Sequence, residues 1–184
     1  SFVSRGLGDV YKRQDKTEAK KKLESVKKEL KTLKSQNPQI NNFIQLKHKK
    51  KIDLNLALEL INGAKKDLKK VNLKSIEELI IYSYQVAGTV GLMMCSLMNV
   101  TNKNLLPFAI ELGIAMQFTN ISRDVKEDLE MNRIYLPESF RSFNFSSYKE
   151  LLNNNKKKNL MVGDILKLIN YSNKIYKSSM NGIL

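Results

Sequence analysis

Gln117, Asn120, Asp124 and Asp128 lie in the stretch Gln117-Phe118-Thr119-Asn120-Ile121-Ser122-Arg123-Asp124-Val125-Lys126-Glu127-Asp128. On an α-helix these four side chains fall within a wedge of about 80° at 100° per residue. Two carboxylates one turn apart, preceded on the same stripe by two amide side chains, make a row of hard oxygen donors. Such a row suits Mg²⁺, which binds through one or two carboxylates together with the oxygens of a substrate phosphate. The chemistry to expect is a magnesium-held phosphate or diphosphate. A solvated acidic face paired cheaply with Arg123 and Lys126 is the competing reading. Against it stand the apolar flanks Ile114, Ala115, Phe118 and Ile121, which predict a buried helix on which an unpaired carboxylate would be costly.

A second group lies upstream, in Tyr82-Ser83-Tyr84-Gln85-Val86-Ala87-Gly88-Thr89-Val90-Gly91. Tyr82, Val86, Thr89, Val90 and Met93 share one face of a continuous helix. Gly88 and Gly91 each cost about 1 kcal/mol relative to Ala inside a helix. Their presence implies close backbone approach, by a neighbouring helix or by a bulky ligand.

Helical periodicity supplies the elements that must position both groups. Residues 17–35 carry Leu23, Val26, Leu30 and Leu33 in a lysine-rich background, a surface helix with one apolar stripe that Pro38 is expected to end. A shorter helix follows around Ile40–Leu46. The next carries Leu54, Leu56, Leu58 and Ile61, where period-2 spacing competes with a helix-favouring Ala, Leu and Glu content. Ser75 and Glu78 form a capping box opening a long helix toward Met98. After a turn at Asn102–Asn104 a second long helix is expected from about Leu105 through Glu130. Arg133–Pro137 reads as an extended exit. Ser147–Glu150 starts a short helix, residues 153–158 a polar loop, and Leu160–Met180 a last amphipathic helix with Met161, Ile165, Leu168, Ile169 and Ile175 on its apolar side. No strand pattern stands out, and the predicted class is all-α.

Composition narrows the rest. The chain has 184 residues, a formal net charge of +14, one Cys and no Trp. With a single cysteine there is no disulfide framework, and a reducing compartment is expected. The apolar run from Val86 to Met98 is shorter than the roughly 20 residues that span a bilayer. The lysines accompany many Asn and Ile residues, the signature of AT-rich coding. No zinc spacing or aromatic-strand motif joins them, so nucleic acid is not expected as a partner.

The two motifs together, Tyr82–Met94 (YSYQVAGTVGLMM) and Leu112–Pro137 (LGIAMQFTNISRDVKEDLEMNRIYLP), resemble the squalene/phytoene synthases. These are the head-to-head branch of the trans-isoprenyl diphosphate synthases, and the likeness runs from about Asp15 to the end of the chain. The resemblance implies an isoprenoid-synthase helical bundle around a central cavity. It also implies Mg²⁺ (or Mn²⁺) joining prenyl diphosphates to two Asp-rich motifs. Carried onto this sequence, Asp124, Asp128 and Asn120 are expected as metal ligands and Gln117 as a substrate contact. Arg123 is expected as a catalytic cation beside the diphosphate, Arg133 as a second such cation, and Tyr82 as a catalytic tyrosine near the reacting carbons. Val86, Ala87, Val90 and Gly91 are expected in the cavity wall. The implied reaction joins two geranylgeranyl diphosphates into phytoene through a cyclopropylcarbinyl diphosphate. Squalene or dehydrosqualene synthesis from farnesyl diphosphate stands as the alternative within the family. A non-catalytic scaffold of the same fold and a basic helical lipid- or nucleic-acid-binding module are the readings outside it.

The first Asp-rich motif of the pattern has no counterpart. Asp53 and Asp67 read as ordinary helix residues, and where the motif should lie stand residues 1–14, of which 4–14 back-translate to a sequencing-adapter-like string. Those residues are expected to be an artefact, with a partial synthase domain in 15–184 cut at both ends and inactive by itself. A cytoplasmic location is expected, with peripheral contact at the inner membrane surface because substrate and product are oily.

Overall fold

The computed structural model describes residues 16–145, 150 and 154–182. Residues 1–14 and Ser147, Tyr148 and Lys149 of the expected short helix lie outside these. The described elements are almost entirely helical: α1 (Lys16–Thr32), α2 (Pro38–Lys50), α3 (Leu54–Lys66), α4 (Ile76–Ser83), a π-helical turn (Tyr84–Gly88), α5 (Thr89–Leu97), α6 (Leu106–Arg123), α7 (Val125–Glu130) and α8 (Asn155–Ser179). Short 3₁₀ turns occupy Lys103–Leu105, Glu138–Phe140 and Met180–Gly182.

Several boundaries differ from the sequence expectation, each for a local reason. α1 stops at Leu33, whose φ of 53° leaves the helical region. Pro38 therefore begins α2 instead of ending α1, with the Asn37 side chain accepting from the amides of Gln39 and Ile40. Proline is favoured in the first turn because its missing N–H has no partner there anyway. Ser75 caps α4, and the Glu78 carboxylate accepts from the amide of Lys74, one residue before the cap, at 2.7 Å. The expected polar loop at 153–158 is mostly helix, since Asn154 caps α8 by accepting from Lys157 N–H. α3 is a helix despite its period-2 leucines.

The two long helices are interrupted. A π turn at Tyr84–Gly88 separates α4 from α5, and Asp124 (φ −97°, ψ 15°) separates α6 from α7. Two two-residue strands unseen in the sequence, β1 (Val71–Asn72) and β2 (Arg133–Ile134), pair in parallel with Val71 opposite Arg133. They fasten the segment after α3 to the exit from α7.

Two hydrophobic clusters result. One joins Leu79 and Tyr82 of α4, Ile114, Phe118 and Ile121 of α6, Tyr135, and Met161 and Leu168 of α8. The other joins Leu23, Leu30, Ile44, Ala57 and Ile61 of the first three helices. α8 finds its packing surface on α6, where Ser172 Oγ donates to the Ala115 carbonyl at 2.9 Å and the rings of Phe118 and Tyr171 stack at 5.9 Å. Phe118 and Leu168 are fully buried there, each stabilising by roughly 1.5–3 kcal/mol relative to exposure. Ile76–Leu97 and Lys103–Arg123 are each long and apolar enough to cross a membrane by length and composition. Both stretches contribute side chains to the first cluster.

Gly163 of α8 has nothing within 4 Å of where a Cβ would stand. Gly163→Ala is expected to stabilise the fold by about 0.5–1 kcal/mol, since alanine removes glycine's entropic cost in a helix without a clash. A urea midpoint shifted upward with unchanged slope is the measurement.

Candidate functional site

α6 is apolar on one side and polar on the other. Ile114, Ala115, Phe118 and Ile121 are buried, as the apolar flanks predict. On the polar side Gln117 is nearly buried, and Asn120 Nδ2 lies 3.5 Å from its Oε1. The irregular residue Asp124 does not spoil the row. Its amide still donates to the Asn120 carbonyl at 2.9 Å, and the Asp128 amide donates to the Asp124 carbonyl at 2.9 Å. The turn-by-turn spacing of Asn120, Asp124 and Asp128 therefore survives the break.

The carboxylates are less buried than expected. Asp124 and Asp128 are half-exposed. Arg123 Nε and Nη2 each donate to one Asp124 carboxylate oxygen at 2.6 Å, a bidentate fork. Hydrogen bonding to Asp124 raises the Arg123 pKa further. Burial alone thus does not require a metal at Asp124, which is half-exposed and already paired with Arg123. What remains is a partly open acidic ridge flanked by a guanidinium.

That ridge borders a small, mostly apolar hollow. Asp128 and Arg133 stand at its wall with Ile121, Val125, Tyr135 and Phe145. Arg133, held by the β2 pairing, thus stands beside Asp128.

Among the described residues no three His, Cys, Asp or Glu side chains converge as a self-sufficient metal site. Two carboxylates with one amide oxygen fit half of a Mg²⁺ shell, the share protein usually supplies when phosphate oxygens and waters complete it.

The second group departs further from its expected arrangement. The π turn adds one residue and shifts the helical phase by about 100°, so the five side chains placed on one face are divided. Tyr82 and Thr89 are buried, whereas Val86, Val90 and Met93 are half-buried. Val86 packs with the α6 cluster and Met93 with the α1–α3 cluster. The glycines mark helix packing. A Cβ on Gly91 would stand 2.4 Å from the Ala109 carbonyl oxygen, and one on Gly88 would stand 2.9 Å from the Tyr84 ring. Gly113 of α6, unnoticed in the sequence, is the reciprocal contact at 2.6 Å from the Ala87 oxygen. The backbones of Ala87 and Gly91 therefore meet α6.

Tyr82 is buried, its hydroxyl donating to Asp67 Oδ1 at 2.9 Å. Tyr135 donates to the same oxygen at 2.6 Å, and the two rings stack with centroids 4.9 Å apart. Burial first, then the Asp67 charge, raises both phenol pKa values well above the ordinary range. Asp67, which caps the C-terminus of α3, is not the ordinary residue it looked. An Asp at the end of a lysine-rich helix carries no signal in the sequence, and only the fold reveals its two phenol partners.

A separate buried carboxylate ties α8 to the loop after the 3₁₀ turn. Asp164 is fully buried and accepts from Ser142 N–H at 2.7 Å, Ser142 Oγ at 2.6 Å and Lys167 Nζ at 2.8 Å. Burial works against its charge, but the hydrogen bonds from Lys167 and Ser142 outweigh burial and lower its pKa. A folded pKa below the unfolded one contributes stability above the ordinary carboxylate range and loses it as pH falls through the folded value. Acid unfolding of Asp164→Asn is thus expected to be less steep below about pH 4, with a loss of roughly 1–3 kcal/mol at pH 7. Denaturant titrations across pH read both.

The comparisons with known proteins agree with this architecture. A sequence profile described as squalene/phytoene synthase matches residues 6–184. A chloroplastic phytoene synthase of an Oncidium hybrid cultivar is 43% identical over 93 residues, covering 47% of this chain and 23% of that protein. The 15-cis-phytoene synthase of Synechocystis sp. is 42% identical over 115 residues, covering 55% of this chain and 34% of that protein. The chain thus spans about a quarter to a third of the length of these curated relatives. A crystal structure of a dehydrosqualene synthase in complex with ligand superposes with a TM-score of 0.76 at 26% identity, over 91% of this chain and 60% of that one. Squalene synthase HpnC from Alicyclobacillus acidocaldarius shares the fold, with a TM-score of 0.67 at 17% identity over 93% of this chain and 68% of that one.

Proposed function

Because the chain belongs to the squalene/phytoene synthase family, we propose that the protein it represents joins two prenyl diphosphates head to head, with two geranylgeranyl diphosphates giving phytoene. The observation that carries this reading is the ridge of Gln117, Asn120, Asp124 and Asp128, whose turn-by-turn spacing survives the break at Asp124 and whose last carboxylate borders a small apolar hollow.

In this reading Asn120, Asp124 and Asp128 hold Mg²⁺ (or Mn²⁺), which when bound neutralises charge on the departing diphosphate. Arg123, whose guanidinium stands at Asp124, would offer a cation to the diphosphate beside those carboxylates. Arg133 offers a second cation from the β2 side. Gln117 orients the substrate through its amide. The apolar residues beside Asp128 exclude water from the allylic cation formed when diphosphate leaves. A double bond of the second prenyl donor would capture that cation, and loss of a proton, for which the released diphosphate is the available base, would close the ring of the cyclopropylcarbinyl diphosphate; loss of its diphosphate then starts the rearrangement. Tyr82, stacked on Tyr135, offers a π face to positive charge. The oily chains of substrate and product support peripheral contact with a membrane surface.

Phytoene is favoured because the curated relatives at 42–43% identity are named phytoene synthases. The dehydrosqualene synthase neighbour supports farnesyl diphosphate as the second reading. The test is to incubate the chain, and the longest protein its gene encodes, with each diphosphate in Mg²⁺ and in EDTA. A C40 product from geranylgeranyl diphosphate that EDTA abolishes is expected. A C30 product alone supports the second reading. If neither forms from the longer protein, the synthase assignment fails.

A further inference from the structure

We propose that Asp67 is a positioning residue, whose carboxylate holds Tyr82 and Tyr135 as one stacked pair at the wall of the hollow beside the acidic ridge. The proposal rests on the synthase reading for its consequence in turnover, but its geometry stands independently. Three separate segments meet at one oxygen: the C-terminal cap of α3, the last turn of α4, and the extended exit after β2. Neither phenol could be buried without a hydrogen-bond partner except at a cost, and Asp67 accepts from both. A carboxylate accepts two donors on one oxygen readily, having two lone pairs there.

The arrangement has a direction. Tyr135 borders the hollow with Asp128 and Arg133, and Tyr82 lies behind it in the stack. With both hydroxyl hydrogens committed to Asp67, the two rings are tethered at their hydroxyl edges to one carboxylate. A prenyl cation formed near Asp128 would then meet an aromatic pair whose placement is already set. The short parallel pairing of Val71 with Arg133 holds the same two segments together, so α3, Tyr135 and Arg133 share one mechanical frame.

The experiment uses Asp67→Asn, Asp67→Glu and Tyr135→Phe, with helix content by far-UV circular dichroism confirming folding. The chain has seven tyrosines and no tryptophan, so near-UV circular dichroism reads the stacked pair directly. Asp67→Asn and Tyr135→Phe are expected to lose tyrosine signal, and Asp67→Glu, which keeps both acceptors, to restore it. In the longest protein the gene encodes, kcat is expected to fall by ~100-fold in Asp67→Asn, the scale of a small misplacement. KM should change little, and Asp67→Glu should recover most of the loss. An unchanged kcat, or a rise in KM alone, would overturn the proposal while wild-type turnover keeps the synthase reading intact. If wild type makes no prenyl product, the synthase reading fails, and the near-UV spectrum decides here: identical spectra for wild type and Asp67→Asn overturn it. Should Asp67→Asn not fold, Tyr135→Phe and Asp67→Glu carry the same two readouts.

Discussion

Asp124→Asn, placed in the longest protein the gene encodes, is expected to lower prenyl-transfer turnover by at least about 100-fold, the cost of removing one charge from a preorganised electrostatic site. Asparagine keeps the shape and one oxygen but gives up the negative charge that would attract the cation. The fold should hold, because Asp124 is half-exposed and its backbone bonds to Asn120 and Asp128 do not use the side chain. The Arg123 fork lost with the charge is worth only about 0.2–1 kcal/mol at such exposure. Glu127→Gln, one turn position away on the exposed face, removes the same charge from α7 and should leave turnover within about twofold. Product formation under saturating Mg²⁺ reads both variants. Equal activity in Asp124→Asn and wild type would show that the ridge does not hold the metal.

The second large effect concerns packing. Gly113→Ala should destabilise the chain by about 1–3 kcal/mol, although alanine is otherwise favoured by about 1 kcal/mol inside a helix. Its Cβ would stand 2.6 Å from the Ala87 oxygen, 2.8 Å from the Ala87 carbonyl carbon and 2.9 Å from the Gly88 nitrogen. All three are backbone atoms of the π turn and cannot swing aside like a side chain. α6 must back away from the turn, loosening the contact that Gly91 makes with Ala109 further along. A lowered urea midpoint checks this, with Gly163→Ala as the opposite-signed control on an open helix surface. A neutral Gly113→Ala would mean the two helices are not in backbone contact.

Much of this was legible in the sequence, and what escaped it has physical causes. The helices follow from apolar spacing and caps, and of the two neighbours that Gly88 and Gly91 left open, a helix or a ligand, the structure puts α6 against Gly91. The ridge was visible because its four residues repeat at helical spacing, and hydrogen bonds keep that spacing through Asp124. Periodicity carries no information about an inserted residue, so the π turn at Tyr84–Gly88 went unseen, and Met93, expected on one face with Tyr82 and Val86, packs against the α1–α3 cluster while those two pack with the α6 cluster. Burial of the ridge was overestimated because apolar neighbours on a helix say which side is covered, not how much of the other side water reaches. The pairing of β1 with β2 involves only two residues each, too short for any alternation to register. Asp67 was missed because its meaning depends on Tyr82 and Tyr135, 15 and 68 residues away in sequence.

The π turn has one more consequence. A rod that skips a thread midway can aim its two halves independently: the Tyr82 half toward Asp67, the Gly91 half toward Ala109. Each half can then drift in sequence under its own constraint, and fixed-spacing motifs drawn across the slip will mistake one orientation for the other.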